Sequence, residues 1–276
     1  MPESLPDYHV RARNTSAGHE NKIHDDEVAR RYGFTGGLVP GVTVYAYLTH
    51  PLVEALGAPW LARGTASVRF VKPVLDDEEV HVTGTVTARA ADGLTARVTA
   101  TTASSGECAV LEATLPAGLP TPVNGALYRE AALPAERPPA SRSMLERLEP
   151  LGTPQALYDA TRAAEYLERV SDALPIYRGR GGWVHPAFLL DQSNRALDRN
   201  VRLGPWIHVA SRVRHLGGAR MGESLATRGR VRSLYERRGR EFVELDLLIV
   251  SGVTARPVAH VLHTAIYALP EPGRPR

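Results

Sequence analysis

GGLVP at residues 36–40 and GGWVH at residues 181–185 are two copies of one short pattern, 145 positions apart in a chain of 276 residues. Moving the chain by the same 145 positions, without a gap, brings five further identical pairs into register. Identities that share one offset indicate an internal repeat. The sequence therefore predicts two copies of one structural unit. The further pairs are Val68 with Val213, Arg69 with Arg214, Glu78 with Glu223, Gly84 with Gly229, and Val86 with Val231.

Each copy contains the same order of elements, namely a Gly-Gly turn, a helix and several strands. The helices are predicted over 42–56 and 187–200, and both carry apolar residues nearly all round, as expected for a helix wrapped by a sheet. Alternating apolar and polar residues, clearest in HVTGTVTA (81–88) and TARVTATT (95–102), predict antiparallel strands with one buried face. The strand candidates are 66–74, 79–90, 94–103 and 108–116 in the first copy, and 206–215, 224–236, 241–251 and 258–269 in the second.

This order of elements predicts an α+β fold of the double hotdog type, in which two long helices are each wrapped by a curved antiparallel β-sheet. A single unit would leave a sheet edge and a helix face uncovered, and pairing two units covers both. We therefore expect the two sheets to join edge to edge. The Pro- and Ala-rich segment ALPAERPPASRS (132–143) reads as a surface linker. The predicted division is an N-terminal hotdog domain at 1–122, a linker at 123–150 and a C-terminal hotdog domain at 151–276.

The composition predicts a globular protein, since 43% of the residues are hydrophobic. The first residues lack the apolar stretch of a secretory signal, and apolar runs such as LDLLIV (245–250) are too short to span a bilayer. Cys108 is the only cysteine, which excludes an intrachain disulfide and a cysteine zinc site. We expect a cytoplasmic protein that carries no metal and does not associate with membranes.

The formal net charge of +3 is small, because arginines are nearly balanced by acidic residues, and nucleic acid is not an expected partner. The densest basic stretch is RGRVRSLYERRGR (228–240), which Glu236 interrupts. A solvated hairpin is the favoured interpretation of this stretch, and a phosphate-binding patch is the alternative. Coenzyme A is a candidate ligand for such a patch.

A polar loop precedes the first Gly-Gly pattern. Asp25 or Asp26 can cap a short helix that ends at Gly33, which leaves His24 in the loop just before the helix. Taken alone, His24 and Asn21 are also typical of ordinary loop residues. The order of the residues is more specific than either residue.

The loop and the turn after it resemble the MaoC-like dehydratase and (R)-specific enoyl-CoA hydratase family. That family has the pattern Gly-Asp-x-Asn-Pro-x-His-x-Asp, followed by Ala, by Gly-Phe and by His-Gly at the start of the hotdog helix. The resemblance covers about residues 10–115 and includes a strand similar to the family's "RFxxPV". The matching positions are Gly18, Asn21, His24, Asp26, Ala29, Gly33, Phe34 and Gly41, then Arg69-Phe70 and Pro73-Val74.

The resemblance implies an enzyme that hydrates a 2-enoyl thioester or dehydrates a 3-hydroxyacyl thioester. It implies His24 as the proton-transfer group, Asn21 as the residue that fixes the loop, and amides at Gly41 and Val42 as the oxyanion site. No cofactor is expected apart from coenzyme A or acyl carrier protein as substrate carrier, and homodimerisation is left open.

The chain departs from the family pattern at three positions: His19 stands where the family has its catalytic Asp, Lys22 replaces Pro, and Pro40 replaces His. A histidine accepts a proton near neutral pH, so His19 with His24 is one replacement for the usual pair and Glu20 with His24 is another. The third interpretation is that hydration chemistry has been lost.

The second half offers a different interpretation. The stretch from His185 to Asn194 resembles the helix of paired-hotdog acyl-CoA thioesterases, where a Ser-Asp pair follows a His. Asn194 stands where that Asp would be, and Asp191 is a candidate replacement. A buried polar pair formed by His185 and Asp191 is the alternative.

The remaining expectations concern how function is divided between the halves. We expect residues 1–120 to carry the working site and the second half to be mainly structural, because the region before Gly181 contains no histidine. A non-catalytic protein that binds acyl thioesters remains an alternative to both enzymes. No role is assigned to His208, His215, His260 or His263, which lie in strand patterns.

Overall fold

The computed structural model of the protein describes residues 3–16, 18–252 and 254–270. Within these residues the chain forms ten strands and five α-helices. The strands are β1 (Tyr8–Arg11), β2 (Thr65–Phe70), β3 (Glu79–Ala90), β4 (Gly93–Thr102), β5 (Gly106–Pro116), β6 (Gln155–Leu157), β7 (Ile207–His215), β8 (Ser224–Arg237), β9 (Arg240–Ser251) and β10 (Arg256–Ala268). The helices are α1 (Asp26–Arg31), α2 (Gly41–Arg63), α3 (Arg142–Arg147), α4 (Ala160–Arg169) and α5 (Pro186–Asp198), with 3₁₀ turns at Lys22–His24, Gly125–Leu127 and Pro175–Tyr177.

The described strands form one sheet in the order β1-β3-β4-β5-β2-β7-β10-β9-β8-β6. Its second half repeats the first in reverse, and β2 and β7 pair antiparallel at the centre. In that pairing Ser67 faces Arg212, which is its own counterpart at the 145-residue offset. An approximate two-fold axis therefore passes between these two residues. The prediction that the two sheets join edge to edge is confirmed.

The helix predicted over 42–56 lies within α2, and the helix predicted over 187–200 corresponds to α5. Gly57 has φ 57° and ψ −147°, which interrupts α2 one residue after the predicted end. Helix α5 is shorter, with 13 residues, and begins with a proline at its first position. Helix α2 packs against β1 to β5 and also against β7 and α5. One hydrophobic cluster therefore runs from the first half into the second.

The second glycine of each Gly-Gly pair is required by close approach of another backbone segment. A Cβ atom on Gly37 would lie 2.3 Å from the His24 carbonyl oxygen, and one on Gly182 would lie 2.5 Å from that of Tyr177. His24 and Tyr177 each end a 3₁₀ turn that precedes a hotdog helix. The repeat is therefore a packing motif, in which a 3₁₀ turn folds back onto the strand-like entry to the helix.

The structure also contains elements that the sequence patterns did not predict, namely β1, β6, α3 and α4. The segment predicted as a surface linker, 132–143, contains no buried residue. The wider interdomain segment 123–150 also contains α3, whose Leu145 is fully buried. In the same segment the Tyr128 hydroxyl donates a hydrogen bond to Asp246 at 2.8 Å. The parts of 123–150 outside the Pro- and Ala-rich stretch therefore include residues that pack against the second half. The domain boundaries stay a prediction.

The basic stretch 228–240 forms the hairpin that was predicted, with β8 and β9 joined by a turn at Arg238 and Gly239. In the described residues, no helix is both long enough and apolar enough to cross a membrane.

Candidate functional site

A cavity of about 790 Å³ lies between the two halves of the molecule. The first half contributes the loop before α1, the first turn of α2 and the end of β2, and the second half contributes α4, α5 and the start of β7. The second half, which was expected to be mainly structural, thus supplies part of the cavity wall. The sequence-predicted residues that line the cavity are His19, Asn21, His24, Gly41, Val42, Asp191 and Asn194, and His185 does not line it.

The Asn21 side chain links the loop before α1 to the second half of the molecule through hydrogen bonds. Its side chain accepts a hydrogen bond from the Trp206 backbone N–H at 3.1 Å and donates one to the Trp206 carbonyl at 3.0 Å. Its amide group also lies 3.3 Å from Nε2 of His24. Asn21 is buried, so these bonds satisfy most of its polar atoms in place of water. Asn21 therefore positions the loop.

His24 presents one ring nitrogen as a proton acceptor. Its Nδ1 atom lies 2.6 Å from the Leu38 carbonyl oxygen, and because a carbonyl can only accept, Nδ1 must donate. The neutral ring then carries its lone pair on Nε2, the atom nearest the Asn21 amide. Burial lowers the pKa of His24, and His19 adds to this effect, whereas the Leu38 hydrogen bond opposes it. His24 is therefore neutral at neutral pH and able to take up a proton.

His19 and Glu20, the two candidates to replace the family carboxylate, are both engaged elsewhere. The exposed His19 ring accepts a hydrogen bond from the Asn21 backbone N–H at 3.3 Å through Nδ1. The Glu20 carboxylate accepts two hydrogen bonds from Arg137, at 2.8 and 2.9 Å. The structure brings both residues to the cavity rim, but Glu20 is held by Arg137.

The first turn of α2 lines the cavity. Pro40 caps the helix without any side-chain hydrogen bond. The amides of Gly41 and Val42 belong to the first turn, where N–H groups have no intrahelical acceptor and the helix dipole is positive. This end of α2 can therefore stabilise negative charge on a bound oxygen atom.

Helix α5 presents a stripe of polar side chains along the cavity wall. Its members, at helical spacing, are Asp191, Asn194 and Asp198. The Asn194 amide donates a hydrogen bond to Asp191 at 3.2 Å. Burial, and next the nearby Asp191 charge, raise the pKa of Asp198 to about 7. No described residue forms a hydrogen bond with Oδ1 of Asp198. Asp198 was not among the residues predicted for the site, although its spacing of seven residues from Asp191 places both on one helix face.

His185 lies outside the cavity in a separate buried cluster. Its Nε2 atom is 3.2 Å from Oδ2 of Asp172, and Nδ1 of His50 is 3.2 Å from the same oxygen. Burial raises the pKa of Asp172, but the hydrogen bonds with His185 and His50 lower it by more than burial raises it. The net pKa of Asp172 is therefore below its usual value. A buried pair of His185 with Asp191, one of the two interpretations of this stretch, does not form, because Asp172 is the carboxylate that His185 contacts.

His208, for which no role was predicted, lies in the cavity wall. Its Nε2 atom is 2.8 Å from the Ser211 hydroxyl, which is 3.0 Å from Nδ1 of His263. Burial is the largest of the causes that hold the pKa of His208 well below its ordinary value. The residues around His208 alternate as in any half-buried strand, so the sequence pattern does not indicate a cavity residue. The place of His208 in the cavity wall follows only from the pairing of β7 with β2.

Basic residues outnumber acidic residues around the cavity. The basic set is Lys72, Arg137, Arg162, Arg169, Arg195, Arg199 and Arg240, and the acidic set is Glu20, Glu165, Asp191 and Asp198. Among the described positions, no group of three or more His, Cys, Asp or Glu side chains is arranged to hold a metal ion.

Comparison with known proteins adds evidence on the fold. Neither the scan against protein-family models nor the search of curated proteins found a match. Among solved structures, a MaoC-like dehydratase is 13% identical over 95% of this chain and 98% of its own, with a TM-score of 0.62. A conserved hypothetical protein of Mycobacterium tuberculosis, described as a double hotdog fold, is 14% identical over 95% of this chain and 96% of its own, with a TM-score of 0.63.

Thioesterases are also among the similar structures. A Lactobacillus plantarum protein described as an oleoyl thioesterase is 12% identical over 98% of both chains, with a TM-score of 0.54. At these identities the likeness establishes the fold. The chain therefore has the double hotdog fold, which it shares with MaoC-like dehydratases and with thioesterases.

Proposed function

We propose that this protein is a hotdog enzyme of the MaoC-like type that acts on acyl thioesters of coenzyme A or acyl carrier protein. The proposed reaction is hydration of a 2-enoyl thioester and its reverse, dehydration of a 3-hydroxyacyl thioester. One observation carries the proposal: the neutral His24 and the first turn of α2 line the same 790 Å³ cavity. A general base beside a site for an oxyanion is the arrangement that this reaction requires.

In this mechanism Nε2 of His24 takes a proton from water while the water oxygen bonds to C3 of the enoyl group. The electrons of the double bond move towards the thioester carbonyl, and the enolate oxygen is stabilised by amides at Gly41 and Val42. The proton then returns to C2, which restores neutral His24. Asn21 contributes by holding the loop against Trp206.

The charge of the cavity supports a phosphate-bearing carrier. The cavity wall contains seven basic and four acidic side chains. Arginines bind phosphate oxygens well. Both coenzyme A and the phosphopantetheine arm of a carrier protein carry phosphate.

The proposal is tested by following two signals separately during incubation with crotonyl-CoA and butyryl-CoA: loss of enoyl absorbance and release of free thiol. We expect enoyl loss without thiol release. His24→Ala should lower turnover on the order of a hundredfold or more, as is typical for a positioned acid or base, and Asn21→Ala should lower it less. Wild-type turnover by His24→Ala would contradict the proposal.

Thioester hydrolysis is the second candidate function, and the polar stripe on α5 favours it. Asp191 and Asp198 line the cavity, and an incompletely hydrogen-bonded carboxylate can activate water. Thiol release from butyryl-CoA that is lost in Asp191→Asn or Asp198→Asn, and kept in His24→Ala, would favour hydrolysis. Tight binding of both thioesters without turnover would favour a non-catalytic binding protein.

A further inference from the structure

Asn14 contacts the loop before α1 and is not among the described residues that line the cavity. Its Nδ2 atom lies 2.7 Å from the carbonyl oxygen of His24, and its Oδ1 atom lies 3.2 Å from the backbone nitrogen of Ser16. A carbonyl oxygen only accepts and a backbone N–H only donates, so a single orientation of the Asn14 amide satisfies both contacts. The Asn14 side chain therefore donates to His24, and the bond from Ser16 fixes the orientation of its amide group.

The backbone of Asn14 is attached to the first half of the molecule. Its N–H donates a hydrogen bond to the Asp76 carboxylate at 2.6 Å, and Asp76 lies between β2 and β3. Asn14 therefore offers His24 a contact that is anchored on the first half. Asn21 anchors the same loop on Trp206 in the second half. The loop is thus held from both halves of the molecule.

The neighbouring residue, Thr15, connects the same stretch to the start of α2. Its hydroxyl lies 2.9 Å from the hydroxyl of Thr43, the third residue of that helix. Thr43 is 2% exposed, so its position is fixed by the packing of α2. Asn14 and Thr15 are adjacent in the chain, and their contacts therefore couple the position of His24 to the first turn of α2.

The hydrogen bond from Asn14 to the His24 carbonyl also affects the His24 ring. The ring donates through Nδ1 to the Leu38 carbonyl at 2.6 Å. A shift of the His24 backbone changes the distance from Nδ1 to Leu38. When that hydrogen bond weakens, the proton is no longer fixed on Nδ1, and the tautomer with the proton on Nε2 becomes populated.

We infer that Asn14 is a positioning residue, which holds His24 in the place and the tautomer that proton transfer requires by way of the His24 backbone. The inference rests on the proposed function and adds to it a residue that acts through His24. A base works only within hydrogen-bond reach of the proton it takes. A misplacement of about 1 Å can cost on the order of a hundredfold in rate, so the loss of one supporting hydrogen bond has a measurable effect on turnover.

The test reads the His24 ring by ¹H–¹⁵N NMR of protein labelled with ¹⁵N at its histidines, with the His24 signal identified by its loss in His24→Ala. Asn14→Leu keeps the shape of the side chain and removes its donor and acceptor, and Asn14→Ala supplies the same comparison should Asn14→Leu not fold. Asn124→Leu is the matched control, because the Asn124 side chain also accepts a hydrogen bond from a backbone N–H two residues later, at 3.1 Å, and is not among the described residues of the cavity wall. The kcat and KM for crotonyl-CoA are measured on the same variants.

We expect wild-type His24 to carry its proton on Nδ1. Asn14→Leu should show a mixture of both tautomers, with kcat lowered about tenfold and KM nearly unchanged, and Asn124→Leu should match the wild type. An unchanged tautomer in Asn14→Leu overturns this inference and leaves the proposed function intact. An equal change in Asn124→Leu also overturns it, because the effect would then come from general loosening of the fold. Mixed tautomers with an unchanged kcat overturn His24 as the base, and with it the proposed function and the role of Asn14 in it.

Discussion

At the scale of single residues, His24 gains its chemistry from its surroundings. The Leu38 carbonyl fixes the proton on Nδ1, and burial keeps the ring neutral. A base works only while it is unprotonated, so activity is lost as pH falls through the pKa of His24. Because that pKa is lowered, the acidic limb of kcat/KM for crotonyl-CoA should lie below the ordinary histidine value of about 6.5. An acidic limb at or above this value would contradict the assignment of His24 as the base.

His19→Asp tests the position where the chain departs from the family. The charge of His19 contributes to the lowered pKa of His24. A carboxylate at position 19 attracts the protonated ring instead, so the acidic limb should move to higher pH. Hydratase activity should be kept or increased, because the variant restores the family carboxylate. His19→Asn is the matched neutral control, and identical pH profiles for the two variants would exclude an electrostatic influence of this position.

His215 predicts how stability depends on pH. The residue is fully buried, packs edge to face on Trp60 and has a pKa lowered by burial to about 4. As the pH falls below about 6.5, the unfolded chain takes up a proton on His215 that the folded protein does not bind until about pH 4. The free energy of unfolding therefore falls by roughly 3 kcal/mol across this range. His215→Phe keeps the ring contact and should reduce the loss measured by urea unfolding at pH 7, 5.5 and 4.5, while the buried His208 and His263, whose pKa values are also lowered by burial, maintain the rest. An unchanged slope would show that other groups cause it.

At the scale of elements, Gly37 tests the packing of the 3₁₀ turn against the entry to α2. A methyl group on Gly37 meets the His24 backbone at 2.3 Å, whereas one on Gly36 meets only Asp26, at 3.4 Å. Gly37→Ala must push the loop away, so it should cost about 1 to 3 kcal/mol, as overpacking does, and lower turnover strongly. Gly36→Ala is the matched control and should change both much less. Thermal unfolding and crotonyl-CoA hydration measure the two effects, and equal behaviour of the two variants would contradict the close approach.

Elements with a strong pattern were predictable from the sequence, and short ones were not. Strands β3 and β4 alternate so regularly that their predicted limits nearly match the observed ones. Strands β1 and β6 have four and three residues, which is too few to establish a period. The prolines of 132–143 indicate a surface loop, as observed, but they do not reveal that Leu145, two residues beyond this stretch, is buried.

At the scale of the whole molecule, the site could be predicted only in part. The loop of Asn21 and His24 and the start of α2 are contiguous in sequence, and the resemblance to the MaoC-like family pointed to them. Asp198 and His208 belong to the cavity only because β2 pairs with β7 and brings the second half against the first. That contact joins residues 141 to 149 positions apart, and no local pattern contains it.

The continuous sheet also predicts that the two halves unfold together. Strand β2 pairs with β7 across the centre, α2 packs on β7 and α5, and one hydrophobic cluster spans both halves. Separating the halves would expose a sheet edge and part of a helix face at once, so partial unfolding is costly. In urea, peptides from β4 and from β9 should therefore lose hydrogen-exchange protection at the same midpoint.

A single buried substitution makes this prediction sharper. Leu247 in β9 is 0% exposed, so Leu247→Ala should cost about 2 to 5 kcal/mol. If the molecule unfolds as one unit, the midpoint of the β4 peptides in the other half must fall by the same amount as that of the β9 peptides, although the substitution touches only the second half. Leu119→Ala, at a side chain that is 91% exposed, is the matched control and should move neither midpoint. If Leu247→Ala lowers the midpoint for β9 while β4 keeps its wild-type value, the halves fold independently, and the cavity between them depends on docking of two preformed units.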